Sequence, residues 1–258
     1  MTQTRVYHLE AMGQFTPEAA RQIYGGAIVD STRRLAGGAA LCGGFIDPDG
    51  IDRSFVDLRL ALAFAFSEMF SVGVGGRYLK LDQEGFGPLG QSRASGGLMD
   101  AEDPPRGRNA LVDTVTFDAG MSIRPTEGLV LAAVGQSLSY PDNGVLPTTL
   151  GGGIGYGSAD FSLEADALAD FNSWRHPTAR AMAGGEYLIA NHFPVRAGYR
   201  FDHGAGSHAL SAGLGYLDSR FSVEASVRRT LAGPASTTIV VGIAYFLESS
   251  GLAPVEEP

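Results

Sequence analysis

The most constraining feature of this sequence is a strict alternation of apolar and polar side chains in residues 161–170, which read Phe-Ser-Leu-Glu-Ala-Asp-Ala-Leu-Ala-Asp. In a β-strand successive side chains point to opposite faces, so Phe161 and Leu163 share one face and Glu164 and Asp166 the other. Leu, Ala and Glu also favour helices, so an amphipathic helix is the alternative for this segment alone. Residues 56–66 and 221–228 repeat the alternation, which favours strands. Repeated segments of about ten residues with this period are typical of a transmembrane β-barrel.

Composition supports a barrel and excludes several other classes. Glycine accounts for 36 of the 258 residues and charged residues for 18%. Internal glycine weakens the strands of a soluble sheet but is used in crowded barrel walls and bends. The net charge of −9 argues against a nucleic-acid partner, which requires a basic face. No run of eighteen apolar residues is present, so a transmembrane helix is excluded, and the single Cys42 cannot form an intramolecular disulfide.

The alternation recurs along the chain and predicts about fourteen strands. They are residues 6–15, 22–30, 35–46, 56–66, 70–80, 112–123, 129–138, 146–156, 161–170, 179–189, 194–201, 208–217, 221–229 and 237–246. Short and long connections alternate, and an even strand number places both termini at the short-turn end, which is periplasmic in outer-membrane barrels. Residues 81–111, about thirty residues rich in Gly and Pro, then form an extracellular loop.

The predicted fold is therefore all-β, a single antiparallel up-and-down transmembrane barrel over residues 1–258 with a polar tail at residues 247–258. A soluble all-β sandwich is the alternative, because alternation does not show whether an apolar face meets another sheet or lipid. The long loop and the alternating connection lengths favour the barrel. Residues 1–10 lack the basic start, apolar core and cleavage site of a signal peptide, so we expect the export signal to be absent from this sequence.

The polar faces of the predicted strands collect charges of both signs on one wall. The predicted lumen-facing network consists of Asp57, Arg59, Arg77, Asp118, Glu164, Asp166, Glu186, Arg196, Arg200, Glu224 and Arg228. These residues are spread over many strands, so a lattice of ion pairs across a lumen explains them without catalysis. We predict that the protein is not an enzyme and uses no cofactor or metal.

Two other groups of polar residues resemble binding or catalytic sites. Asp47, Asp49 and Asp52 suggest calcium, but their spacing differs from that of an EF-hand, and Asp-Gly favours a hairpin turn. His203, Ser207 and His208 suggest a metal site or a hydrolase dyad, but the sequence offers no third ligand at a useful spacing and no nucleophile elbow. Solvated loop histidines are the simpler interpretation.

Four short segments resemble a known family: residues 71–80 (SVGVGGRYLK), 116–120 (TFDAG), 186–189 (EYLI) and 194–200 (PVRAGYR). They are similar to the FadL-like superfamily of outer-membrane proteins, especially its PorV/PorQ branch, from about residue 56 to the C-terminus. The resemblance implies a fourteen-stranded barrel in the lipid of the bacterial outer membrane. It also implies an N-terminal plug, whose Asn-Pro-Ala-Gly stretch is missing here.

The same resemblance implies two functions. FadL-type members take up hydrophobic compounds, which makes uptake of a hydrophobic small molecule the first expectation. PorV-type members work in protein secretion and surface attachment, which makes a non-transporting barrel that docks secreted proteins the alternative.

Overall fold

The structure is a computed structural model that describes residues 5–31, 35–84, 86–87, 90–91, 108–141 and 145–249. Within these residues, fourteen strands form one closed antiparallel barrel, so the prediction of an all-β barrel is confirmed and the two-sheet sandwich is wrong. The barrel strands are β1 (Arg5–Thr16), β2 (Arg21–Ser31), β3 (Leu35–Ile46), β4 (Arg53–Ala65), β5 (Phe70–Glu84), β8 (Arg108–Thr126), β9 (Leu129–Gln136), β10 (Thr149–Gly157), β11 (Phe161–Asp170), β12 (Thr178–Ile189), β13 (Phe193–Asp202), β14 (Ser207–Leu217), β15 (Phe221–Ala232) and β16 (Thr237–Ser249). A 3-10 turn, Pro17–Ala19, joins β1 to β2, and β6 (Phe86–Gly87) pairs with β7 (Gly90–Gln91) outside the barrel.

Each barrel strand pairs with the barrel strands that precede and follow it in the sequence, so that β5 pairs with β8. Strand β1 pairs with β16 and closes the wall. Because the strand number is even, β1 begins and β16 ends at the end of the barrel that carries the short turns. The longer connections lie at the opposite end, which we call the long-loop end. Within the part of the chain that the structure describes, no helix is long and apolar enough to cross a bilayer.

The largest differences from the predicted segments lie at the long-loop end. The predicted loop at residues 81–111 is shorter than expected, because β5 runs to Glu84 and β8 begins at Arg108. The two strands pair across a register shift after Leu81, and Leu81 and Gln83 continue the inward side-chain period of Arg77. Most of the intervening segment lies outside the described residues. At the C-terminus β16 continues to Ser249, three residues into the predicted polar tail.

The outer wall of the barrel is apolar. Leu60, Val74, Phe117 and Leu214 are 56–67% exposed, although each lies in the middle of a paired strand. Aromatic rings gather at the short-turn end, where three adjacent rings of β4, its turn and β5 contact one another: Phe64, Phe66 and Phe70, with centroids 4.9 and 5.7 Å apart. Such a surface is stable when hydrocarbon covers it and aromatic side chains lie at the interface.

Candidate functional site

The inner wall of the barrel has two unlike halves. Strands β3, β4, β5 and β8 present small residues such as Ala61, Gly73, Gly75 and Gly120 around a cavity of about 410 Å³. Strands β11 to β16 and β1 present charged residues around a cavity of about 610 Å³. A solute inside the barrel therefore meets mainly small side chains, with Arg59 and Asp118 among them, on one side and a more strongly charged wall on the other.

An apolar cluster lies inside the barrel at the long-loop end. Leu79 and Leu81 of β5 and Val112 of β8 pack against Leu146, which belongs to the connection between β9 and β10 and is 0% exposed. Arg77, Leu79 and Leu81 occupy every second position of β5, so their side chains all point to the inner face of the barrel. Phe55, also on that face, packs against the same cluster. The β9–β10 connection therefore folds into the barrel mouth and narrows it with apolar side chains.

Hydrogen bonds hold this connection at both of its ends. The backbone N–H of Ser137 donates to Asp118 Oδ1 at 2.8 Å, and the hydroxyl of Ser139 contacts that of Thr116 at 2.8 Å. The backbone N–H of Thr148 donates to Asn172 Oδ1 at 2.7 Å, and its hydroxyl donates to the carbonyl of Ser137 at 2.9 Å. Asp118, one of the predicted network residues, thus binds backbone instead of an arginine.

A three-residue ion cluster lies just below the apolar residues. Arg59 Nη2 and Arg77 Nη2 both donate to Asp57 Oδ2, at 2.8 and 2.7 Å. The Asp57 side chain is 6% exposed, whereas those of Arg77 and Arg59 are 23% and 55% exposed. The carboxylate is therefore enclosed by its two guanidinium partners, which themselves reach lumen water.

A second ion cluster joins three strands nearer the short-turn end. Arg196 of β13 donates through Nε to Glu186 Oε2 of β12 at 2.5 Å and through its terminal nitrogens to Glu224 of β15. Strand β14 lies between the strands of Arg196 and Glu224, and it places Gly213 beside Arg196 and Gly215 beside Glu224. A Cβ at Gly213 would lie 3.7 Å from Arg196 Cβ and 3.2 Å from Ser226 Cβ. The glycine leaves room for the arginine side chain to cross the strand.

The remaining predicted residues are not joined into these clusters. Arg200 pairs with Asp202 at 3.1 Å, and Arg228 reaches the Thr238 hydroxyl at 3.5 Å. Glu164 and Asp166 line the 610 Å³ cavity. No ion pair within the described ranges includes either carboxylate.

Arg180 and Leu146 complete the site but are not among the predicted network residues. Arg180 binds Asp170 and Asp202, at 2.7 and 2.9 Å, and these two buried carboxylates also accept backbone N–H groups of the long loops. Arg180 shares the inward period of Glu186, so the alternation contains the signal. Leu146 begins the predicted strand at residues 146–156, but β10 begins at Thr149, so Leu146 lies in the irregular connection before it.

The groups considered for metal or hydrolytic chemistry have other contacts. Arg53 forms a bidentate pair with Asp49, at 2.8 and 2.9 Å, and this hydrogen bonding lowers the pKa of the Asp49 carboxyl. His208 Nδ1 lies 2.5 Å from the Tyr199 hydroxyl. Among the residues that the structure describes, no group of three His, Cys, Asp or Glu side chains is placed to hold a metal ion.

No family model and no curated protein sequence matches this chain. Among solved structures, the Ralstonia pickettii toluene transporter TbuX is similar over 96% of this chain and 90% of its own length, with a TM-score of 0.64 and 13% identity. The CymD monoaromatic hydrocarbon channel is similar over 96% of this chain and 89% of its own length, with a TM-score of 0.64 and 15% identity. A Pseudomonas aeruginosa FadL homologue is similar over 95% of this chain and 90% of its own length, with a TM-score of 0.59 and 15% identity. The chain therefore has a fold similar to that of FadL-type barrels.

Proposed function

We propose that this protein is an outer-membrane channel that passes hydrophobic small molecules. The apolar cluster around Leu146 carries this proposal, because it places hydrocarbon side chains inside the lumen at the long-loop end. Water-filled porins line this region with polar groups, whereas an apolar constriction favours an apolar solute over water and ions. Toluene transport and monoaromatic conduction, the activities of two barrels of similar fold, guide the choice of substrates to test.

The outer wall supports a location in a bilayer. Leu35 and Phe45 lie at opposite ends of β3 and are 55% and 58% exposed. Ten residues of strand at a tilt of about 40° span roughly 25 Å, the height of the apolar band on outer-membrane barrels. The side chains between them on the same face are apolar or glycine, so hydrocarbon can cover the whole band.

A second candidate is a non-transporting barrel that docks secreted proteins, as in the PorV/PorQ branch. The long-loop end favours it through exposed apolar side chains: Leu138, Tyr140 and Trp174 are 49–54% exposed outside the paired strands. The two functions depend on different residues, since a transporter requires its lumen and a docking protein its rim.

Uptake of labelled toluene and of a labelled long-chain fatty acid by cells with and without the gene tests the proposal. Replacing Leu146 by Ala should raise toluene flux severalfold, because the loss of this fully buried side chain loosens the apolar cluster at the barrel mouth. The control is Leu138→Ala, which changes an exposed leucine of the same connection and should leave flux unchanged.

Unchanged uptake in the deletion strain, together with loss of secreted proteins from the cell surface, would overturn the transport proposal and support docking. In that case Leu138→Ala, and not Leu146→Ala, should impair surface attachment.

A further inference from the structure

Another cavity, of about 340 Å³, adjoins the apolar cluster at the long-loop end, and we call it the arginine pocket. Leu79 and Leu81 belong both to the cluster and to the wall of this pocket. Ile23, Ile46 and Phe55 are further lining side chains, contributed by β2, β3 and β4. The pocket therefore continues the apolar surface of the cluster into the barrel.

The floor of the arginine pocket lies between Ile23 and Phe55. Both residues pair with Gly44, which stands between them on β3. A Cβ at Gly44 would lie 2.2 Å from the carbonyl oxygen of Gln22, so a larger residue would displace the backbone. Cys42, the next inward residue of β3, has a small side chain and also lines the pocket. A shallow recess about two strand spacings wide, roughly 10 Å, therefore separates the two apolar side chains.

The arginine pocket carries an excess of positive charge. Among the described residues, three arginines line it, Arg21, Arg59 and Arg77, against one carboxylate, that of Asp57. Arg59 and Arg77 both bind this carboxylate, at 2.8 and 2.7 Å. The described lining residues therefore have a net charge of +2, and the one carboxylate is already occupied.

Arg21 is the arginine that lacks a counter-ion. Its Nε atom is closed off from solvent without a hydrogen-bond partner, and no carboxylate of the described residues lies within ion-pair distance of its guanidinium. Arg21 pairs with Ile46 and precedes Ile23 by one inward position, while Gln14 pairs with Ile23 from the other side. A guanidinium drawn out of water among apolar neighbours costs free energy unless an anion compensates it. Arg21 is therefore placed to receive an anion at the edge of an apolar recess.

We propose that the arginine pocket binds a compact aromatic carboxylate, whose carboxylate group contacts Arg21 and whose ring packs between Ile23 and Phe55. A guanidinium can bind a carboxylate in bidentate fashion, and the amide of Gln14 supplies a further donor in the same pocket. The volume of about 340 Å³ lies at the lower end of the range of small-molecule sites, which favours a compact ligand. The inference rests on the proposed channel function only in taking this ligand to be a transported solute.

Four probes with eight carbon atoms each test the proposal: 4-methylbenzoate, its neutral analogue 4-methylbenzamide, its cationic analogue 4-methylbenzylamine, and the flexible carboxylate octanoate. We expect titration calorimetry on the detergent-purified barrel at pH 7 to show that 4-methylbenzoate binds at least about tenfold more tightly than the amide or the amine, since one charge-assisted hydrogen bond contributes a factor of this size. Octanoate should bind more weakly than 4-methylbenzoate, because its chain loses more conformational freedom in the recess.

Variants of Arg21 separate recognition of the anion from a structural role. Arg21→Gln should weaken 4-methylbenzoate binding by about tenfold or more and leave 4-methylbenzamide unaffected, while Arg21→Lys should retain part of the affinity because it keeps the charge. The unliganded Arg21→Gln barrel should unfold thermally at the same or a higher temperature, since it loses a cation without a counter-ion. Arg220→Gln, in an exposed short turn, is the matched control and should change neither quantity.

Three results would overturn the proposal. They are equal affinity for the carboxylate and its amide, tighter binding of octanoate than of 4-methylbenzoate, and unchanged 4-methylbenzoate affinity in Arg21→Gln. Calorimetry requires no passage through the barrel, so a failure of toluene uptake would reject the channel function and leave the binding site to be decided by these measurements.

Discussion

Asp57 and Arg196 each stand at the centre of an ion cluster, but their contact with water differs. The Asp57 side chain is 6% exposed and the Arg196 side chain is 42% exposed. A charge enclosed by protein depends on its partners, whereas a charge that reaches water can replace a lost partner by hydration. Asp57 is therefore expected to be the more important of the two for stability.

Replacing Asp57 by Asn should lower the free energy of unfolding by about 1–3 kcal/mol, because it leaves Arg59 and Arg77 beside each other without their shared carboxylate. Glu224→Gln should cost less than about 1 kcal/mol, since Arg196 keeps Glu186 and both side chains reach lumen water. Urea unfolding of the refolded barrel in lipid vesicles measures both values. An equal or larger cost for Glu224→Gln would contradict this order.

At the scale of single elements, the turn between β1 and β2 is tied to the last hairpin of the barrel. Glu18 contacts Arg229 Nη1 at 2.8 Å and accepts the backbone N–H of Thr237 at 3.0 Å and its hydroxyl at 2.7 Å. The backbone and hydroxyl hydrogen bonds of Thr237 lower the pKa of the Glu18 carboxyl from 4.5 to about 2. This contact links the first hairpin to the β15–β16 hairpin beside the strand pair that closes the wall.

The Glu18 contact should give stability a defined pH dependence. A lowered carboxyl pKa stabilises the folded state above about pH 4.5, and this contribution is lost as pH falls through about 2. The midpoint of thermal unfolding should therefore be higher for the unmodified protein than for Glu18→Gln above pH 4.5, and the difference should vanish near pH 2. Glu127→Gln, a carboxylate of an exposed short turn, serves as the control. A difference that does not change between pH 5 and pH 2 would show that Glu18 acts by packing and not by charge.

The strands were predictable because a period of two is a local property. Residues 161–170 were predicted as a strand with the bounds that β11 has in the structure, and β3 likewise matches residues 35–46. The contact of Leu146 with Leu79 and Leu81 was not predictable, since it joins an irregular connection to a strand far away in sequence. Alternation identifies which side chains share a face, but the partners of Arg196 depend on register, which the turns set.

At the scale of the whole molecule, the barrel has two different ends. Short turns and both described chain ends lie at one end, while the apolar constriction and the buried carboxylates Asp170 and Asp202 lie at the other. In outer-membrane barrels the long loops face outward. We therefore expect a solute from outside to meet the apolar cluster around Leu146 first and the 610 Å³ cavity afterwards.

Labelling of single cysteines on intact cells tests this orientation. In a Cys42→Ser background, a cysteine replacing Ala235 in the β15–β16 connection should react with a membrane-impermeant maleimide, because it lies at the long-loop end. A cysteine replacing Ser219 in the β14–β15 turn should react only after the outer membrane is opened. Both positions are exposed and lie outside the paired strands, so a difference in labelling between them reports which side of the membrane each faces and not how reactive each cysteine is. Labelling of the Ser219 position alone on intact cells would show the opposite orientation, with the 610 Å³ cavity, instead of the apolar cluster around Leu146, nearest the outside.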